Sequence, residues 1–404
     1  MWGLRNSATA GGPSIVQALA PGTVLSKVRI PELDGIRGLA ILSVLAYHLL
    51  AYSMQLWAMR NGTPWPTIPN LVRLITWPGF LGVDVFFVLS GFLITGILLD
   101  TKDEPGFLKN FYMRRVLRIL PLYFVVLAVI AIAYSNSGKF ILLSVFFLSN
   151  LAVLYAPIVA PAPLWSLSIE EHFYLVWPWV VKAVSRQTLM IIAFLICAIE
   201  PLVRVAGFPV WGDGYFFSWT RFDGLAWGAL VACFARSPAA TRRMASRLSW
   251  ICTTVAVIVL LAGVPFGLLS RQNLVGVALQ YTPAQFFSMA LILSAFGIRD
   301  HGINSLMRAG IMRLFGDLSY CLYMIHMLVM DGYDSLMSWL WPTQELALGA
   351  FATLAVRAIT VLVFSVGLAL LSRRFLELPA LRLKRYLDRR SPRAVAAIET
   401  RKSG

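Results

Sequence analysis

Ten apolar runs, separated by short basic or proline-broken segments, leave this chain few architectures. They cover residues 37–55, 79–99, 119–134, 166–184, 189–206, 222–236, 249–268, 279–298, 314–335 and 350–371. A helix of about twenty apolar residues spans the hydrocarbon of a bilayer, and it satisfies every backbone group without water. Several of the runs are shorter, so adjoining residues have to complete the crossing. Only 13% of the residues are charged, against about 25% in a soluble domain. The expectation is an all-α polytopic membrane protein of about ten transmembrane helices rather than a large soluble core.

The net charge of +16 invites a nucleic-acid partner until the charges are located. Arg5, Lys27 and Arg29 precede the first run, KNFYMRRVLR follows the second, and RRMASR precedes the seventh. Arg308 and Arg313 come before the ninth, and SRRF with LRLKRY closes the tenth. All five groups fall on one side if both termini are cytoplasmic, as the positive-inside rule requires, and no nucleic acid is implied. One further apolar stretch, FILLSVFFLSNLAVLY from Phe140 to Tyr155, would break that parity as an eleventh crossing. It is expected to be re-entrant or half-inserted, which is tolerated where protein surrounds the loosened backbone. Pro157, Pro161 and Pro163 then interrupt the chain.

Residues 1–30 lack the pattern of a cleaved signal peptide and read as a cytoplasmic leader. Residues 31–380 form the membrane domain and 381–404 a basic cytoplasmic tail. Cys197, Cys233, Cys252 and Cys321 sit in apolar surroundings without metal-ligand spacing, and no metal or nucleotide fingerprint is evident. His301, in RDHGIN, reads as a solvated loop residue.

Against this apolar background the polar residues carry the information. The stretch DGIRGLAILSVLAYH places Arg37 eleven residues before His48, about 16 Å along a helix at 1.5 Å per residue. Arg37 is therefore expected near the cytoplasmic interface and His48 past the middle of the bilayer. His326 lies about twelve residues into its helix, at nearly the depth of His48. Glu170, Glu171 and His172 in WSLSIEEHFYLVWP, Asp84 in GVDVFFVLSGF and Asp223 in WTRFDGLAWG enter from the outer face. Ionisable side chains are costly in lipid and mark bundle interiors, cavities or pathways. A neutral imidazole is also a base near physiological pH, which makes His48 the leading catalytic candidate.

Structural roles compete at the other positions: Glu171 as a packing partner of Arg221, Asp84 as a helix-terminal hydrogen bonder, and His172 as a core histidine. Arg114, Arg115 and Arg118 in RRVLRILP read equally as topology anchors or, with Arg37 and Lys109, as a site for a phosphate-bearing partner. In GDLSYCLYMIH, Gly316 and Ser319 suit close packing, and Tyr323 shares a face with His326.

The same residues resemble the acyltransferase-3 family of integral membrane proteins, which includes bacterial O-acetylases of lipopolysaccharide and other glycans. The likeness rests on the Arg37–His48 spacing, FFVLSGFLI around Ser90, RRVLRILP, WSLSIEEHFYLVWP, RFDGLAWG, GDLSYCLYMIH and FLELP around Glu377, in family order along nearly the whole chain. The resemblance implies transfer of an acyl group, usually acetyl from acetyl-CoA, to a hydroxyl of a saccharide, glycolipid or glycosylated small molecule. It implies a multi-pass protein of the cytoplasmic (inner) membrane, in contact with lipid, with acyl-CoA as a donor substrate and no permanently bound cofactor. It further implies His48 as the catalytic histidine, Arg37 as its motif partner, Arg115 and Arg118 as donor-handling residues, and Glu170 or Glu171 as the acidic position.

In the mechanism expected from depth and resemblance, the arginines hold the coenzyme A phosphates and His48 deprotonates the acceptor. Glu171 or Asp84 orients the imidazole, and Tyr323, Ser90 or an arginine serves the oxyanion. Because the chain ends soon after FLELPALRLKRY, no extra extracytoplasmic domain is expected, and the acceptor must reach the embedded site itself. A transporter or flippase without transfer chemistry is the alternative from another class.

Overall fold

The computed structural model describes residues 30–62, 64–155, 163–297 and 302–389; the predicted leader, most of the predicted tail, Pro157, Pro161 and His301 lie outside the described residues or largely so. The described residues form ten principal helices, one at each predicted run. They are α1 (Pro31–Asn61), α2 (Pro69–Thr101), α3 (Phe107–Ala133), α4 (Leu164–Ala183), α5 (Arg186–Trp211), α6 (Phe222–Ala235), α7 (Arg242–Phe266), α8 (Leu274–Gly297), α9 (Gly310–Leu340) and α10 (Ala350–Leu383). Seven of them are long and apolar enough to cross a membrane. Among the other three, α6 is short and α4 and α9 carry the polar residues singled out above.

The predicted break at 140–155 is present as short pieces. A helix over Gly138–Val145 spans only eight residues, about 12 Å. Phe147 then adopts a left-handed backbone with φ 57°, and two further turns follow over Ser149–Leu151 and Ala152–Tyr155. No piece of this segment is long enough to cross.

Bonds between turns sort the helix ends into two groups. At one end Lys102 Nζ donates to the Val184 carbonyl at 2.6 Å, Lys182 Nζ to the Lys102 carbonyl at 2.7 Å, and Arg186 to the Arg236 carbonyl. At the other, Arg271 pairs with Asp213 at 3.5 Å, and Trp57 Nε1 donates to Glu345 at 2.7 Å. The first end also holds Arg242 and Arg243 at the start of α7, so basic residues gather there.

The interior is organised around α1 and α2. The hydrophobic window of α2 is 72% buried within the protein, against 17% for α7 and 22% for α10; the outer helices turn most of their surface toward lipid. Because lipid supplies no hydrophobic drive between helices, small residues that let backbones approach contribute much of the packing. A Cβ on Gly38 would strike the Met312 carbonyl, and one on Gly316 would strike that of Asp34. These reciprocal contacts seat α9 against α1, and with it they bring His326 to the level of His48.

Candidate active site

The helix carrying His48 is not uniformly α-helical. Between an α-helical segment over Pro31–Ala46 and another from Ser53, residues Tyr47–Tyr52 form a π-helical turn. Such single turns are rare and concentrate at functional sites. The Ser53 hydroxyl donates back to the His48 carbonyl at 2.8 Å, five residues earlier. His48 is partly exposed. Its Nδ1 stands 3.0 Å from the Val44 carbonyl oxygen and 3.3 Å from His326 Nε2. His326 is fully buried, and its Nδ1 lies 2.9 Å from the Leu322 carbonyl oxygen.

A cavity of about 320 Å³ lies beside this pair, between α1, α2, α3, α4 and α9. Arg37, Arg115 and Arg118 line it together with Ser90, Ser166, Glu170, Tyr174, Tyr320 and Tyr323. Glu170 is held on both oxygens: Ser90 Oγ donates to Oε1 at 3.0 Å and the Tyr174 hydroxyl to Oε2 at 3.1 Å. The Arg115 guanidinium rests 3.7 Å from the centre of the Tyr174 ring, with its Nε buried and unbonded among the described residues. The nearest acid to Arg37 in an ion pair is Asp34, at 3.7 Å. Arg118 bonds to no carboxylate among the described residues. Three guanidiniums and one carboxylate thus face the same space, an arrangement suited to an anion such as a phosphate.

The cavity lining stops at Tyr323 and Met324, about one helical turn short of His326. The Tyr323 hydroxyl is 2.6 Å from Ser166 Oγ, and its ring lies 5.9 Å from that of Phe86 and 6.1 Å from that of His326. His48 and His326 therefore stand just past Tyr323, within one or two side chains of the arginine-lined space.

Several expectations need correction. Arg221 pairs with Asp84, not Glu171: Arg221 Nη2 donates to Asp84 Oδ1 at 3.0 Å, both residues being fully buried. Asp84 is thereby committed away from His48. No carboxylate among the described residues bonds the His48 ring, so neither Glu170, Glu171 nor Asp84 orients it; the ring's partners are a carbonyl and a second imidazole. Glu170 belongs to the arginine-lined cavity rather than to a cluster around His48, and Glu171, with one oxygen buried and unbonded, does not line that cavity. Arg114 does not line it either, and Lys109 is exposed. His172 faces elsewhere, its Nδ1 2.6 Å from Ser218 Oγ, which also accepts from Asn150 at 3.2 Å.

The sequence reasoning missed Tyr174 and Ser166. Their signal was present in the spacing, since Ser166, Glu170 and Tyr174 recur every four residues and share one helix face, which also separates Glu170 from Glu171. The π-helical turn left no comparable trace.

Comparison with known proteins follows the same outline. The family described as an acyltransferase domain matches residues 30–372. A peptidoglycan O-acetyltransferase of Listeria monocytogenes is 37% identical over 176 residues, which are 39% of this chain and 25% of that protein. A Bacillus subtilis protein named provisionally as a peptidoglycan O-acetyltransferase is 32% identical over 250 residues, 54% of this chain and 36% of its own. A Staphylococcus aureus protein named provisionally as an O-acetyltransferase is 34% identical over 209 residues, 47% of this chain and 29% of its own. The matches thus span only about a quarter to a third of these relatives' length. No solved structure matches.

Proposed function

This chain belongs to the acyltransferase-domain family, and we propose that it moves acetyl from acetyl-CoA to a hydroxyl of a saccharide or glycolipid, with His48 as general base. The observation that carries this reading is the cavity: three arginines open to one space that ends a helical turn from a paired imidazole. Arg37, Arg115 and Arg118 hold the phosphates of coenzyme A, and its pantetheine arm runs past Ser90 and Ser166 toward Tyr323. The basic end of the molecule faces the cytoplasm, so the donor enters from that side and the acceptor approaches His48 from the extracytoplasmic side. The relatives' names, peptidoglycan O-acetyltransferases among them, support a cell-envelope saccharide as the acceptor class.

In the transfer step the acceptor hydroxyl oxygen attacks the thioester carbonyl carbon while His48 removes its proton. Tyr323 donates to the developing oxyanion. The tetrahedral carbon then collapses, the carbon–sulfur bond breaks, and the proton on His48 passes to the departing sulfur. Acetylated acceptor and free coenzyme A leave, and the imidazole returns to its neutral form. Glu170, fixed by Ser90 and Tyr174, keeps Arg115 aligned along the cavity wall.

The test is release of coenzyme A from acetyl-CoA by the full chain in lipid nanodiscs, with and without a cell-envelope glycan fraction. Acceptor-dependent release is expected, and His48→Ala should lower it roughly 10²- to 10⁴-fold, the usual contribution of a general base. Movement of glycan or acyl group across the bilayer without thioester loss would establish the transport alternative instead.

A further inference from the structure

The pairing of His48 with His326 carries an inference that rests on His48 being the base. A histidine that acts as a base through one nitrogen normally has the proton on the other nitrogen held by an acceptor, commonly a carboxylate. Here no carboxylate among the described residues bonds the ring: Asp84 pairs with Arg221, and Glu170 is bonded by Ser90 and Tyr174. What faces His48 Nδ1 is a second imidazole.

The hydrogen positions follow from the partners. A carbonyl oxygen only accepts, so the contact with Leu322 requires the proton of His326 on Nδ1. A neutral imidazole carries one such proton, which leaves His326 Nε2 as a bare acceptor. His48 Nδ1, 3.3 Å from that lone pair and 3.0 Å from the Val44 carbonyl oxygen, must then carry its proton. The opposite arrangement would set a His48 lone pair against two others. Both acceptors select the same form, with His48 Nε2 unprotonated and available to the acceptor hydroxyl.

We infer that His326 is a positioning residue that performs for His48 the task a carboxylate performs in other bases: it selects the Nδ1–H tautomer, aims Nε2, and accepts a stronger hydrogen bond when His48 becomes an imidazolium. The backbone is built to hold it there. His326 is tied to its own helix through Leu322, α9 is seated against α1 by Gly38 and Gly316, and the π-helical turn sets the register of His48. An imidazole differs from a carboxylate in one respect that matters in a membrane: the resting pair is neutral, so no buried anion has to be stabilised before substrate arrives.

The chain contains four histidines, which makes a direct measurement practical. Protein labelled with ¹⁵N-histidine in lipid bilayers is examined by solid-state NMR, where protonated and bare ring nitrogens resonate far apart. The His48 signals are identified by their loss in His48→Ala. The expected parent spectrum shows His48 with Nδ1 protonated and Nε2 bare. In His326→Phe the Nε2–H form should gain population, and kcat should fall roughly 10- to 100-fold, by analogy with loss of the group that holds the far nitrogen of a metal-bound imidazole, with the KM for acetyl-CoA unchanged. His326→Gln, whose amide oxygen can accept the same proton, should restore the parent tautomer and much of the rate; it also serves if the phenylalanine variant fails to fold.

A parent protein with the proton on His48 Nε2, or a folded His326→Phe with kcat within twofold of parent, would overturn the inference. The spectrum requires no turnover. A wrong tautomer beside acceptor-dependent release sinks the role of His326 alone, whereas the expected tautomer without release sinks the assignment of acyl transfer.

Discussion

Two groups of arginines in this protein, one fully buried and one partly open, use the same side chain for opposite ends. At the start of α6, Arg204 and Arg221 each face an aspartate, Asp223 at 2.7 Å and Asp84 at 3.0 Å, and none of the four is more than 2% exposed. Arg204 also donates to the carbonyls of Thr220 and Ala278, and Arg221 lies 3.6 Å from the centre of the Tyr281 ring. Around the cavity, Arg37 reaches Asp34 only at 3.7 Å, Arg118 bonds to no carboxylate among the described residues, and the one carboxylate in the lining, Glu170, is already bonded to Ser90 and Tyr174. A closed pair fastens helices; a cluster with less counter-charge around open space is suited to an anion. The residue type does not distinguish them, but the supply of counter-charge does.

The comparison can be broken in three places. The largest effect is expected at the closed pair: Arg221→Ala leaves Asp84 buried without its cation and should cost about 3–5 kcal/mol of stability, read as a lower midpoint of thermal unfolding in detergent. Replacing both partners with apolar residues of similar volume should recover most of that loss. If Arg221→Ala unfolds at the parent temperature, the pair is not a fastening.

Next comes the open cluster. Arg118→Ala should leave the unfolding midpoint unchanged while raising the KM for acetyl-CoA roughly 10- to 100-fold, corresponding to the loss of one charge-assisted hydrogen bond of about 1.5–3 kcal/mol. Coenzyme A should also protect the parent against heat more than it protects this variant. A variant that loses stability but keeps its KM would move Arg118 into the fastening class.

The smallest effect belongs to the boundary between the cavity and the imidazoles. Ser166→Ala removes the partner of the Tyr323 hydroxyl. It should change kcat by only a few-fold, since a neutral hydrogen bond contributes about 0.5–1.5 kcal/mol, and leave the KM for acetyl-CoA near the parent value. A large rise in that KM would place Ser166 in donor binding rather than beside the reacting carbon.

Much of this organisation was legible before any coordinates. Apolar runs survive as helices because a bilayer leaves the backbone no other way to satisfy itself, so each predicted run coincides with one. Depth was readable for the same reason: a helix advances a constant distance per residue, and counting residues put His48 and His326 at one level, where their rings meet. The expectation that the segment after α3 does not cross came from charge parity, and the segment is present as short pieces. Partner choice was not readable. Counting along a helix gives height but not azimuth between helices, so Glu171 was read as the partner of Arg221 where Asp84 stands, and a carboxylate was assigned to His48 where an imidazole stands. Within α4 the four-residue spacing of Ser166, Glu170 and Tyr174 did contain the azimuth, and it favours Glu170 over Glu171.

The sequence by itself determined a helical membrane protein, the family to which it belongs and the polar residues worth pursuing, because each of these depends on order and spacing along one strand of chain. Only the tertiary structure decided which arginines are neutralised, which glutamate faces the cavity and what holds the proposed base. Those outcomes depend on close approach of α1 to α9 through Gly38 and Gly316 and on a single π-helical turn. Such contacts differ by a few ångströms of rotation and translation between helices, and a charge or a lone pair responds to distances of that size.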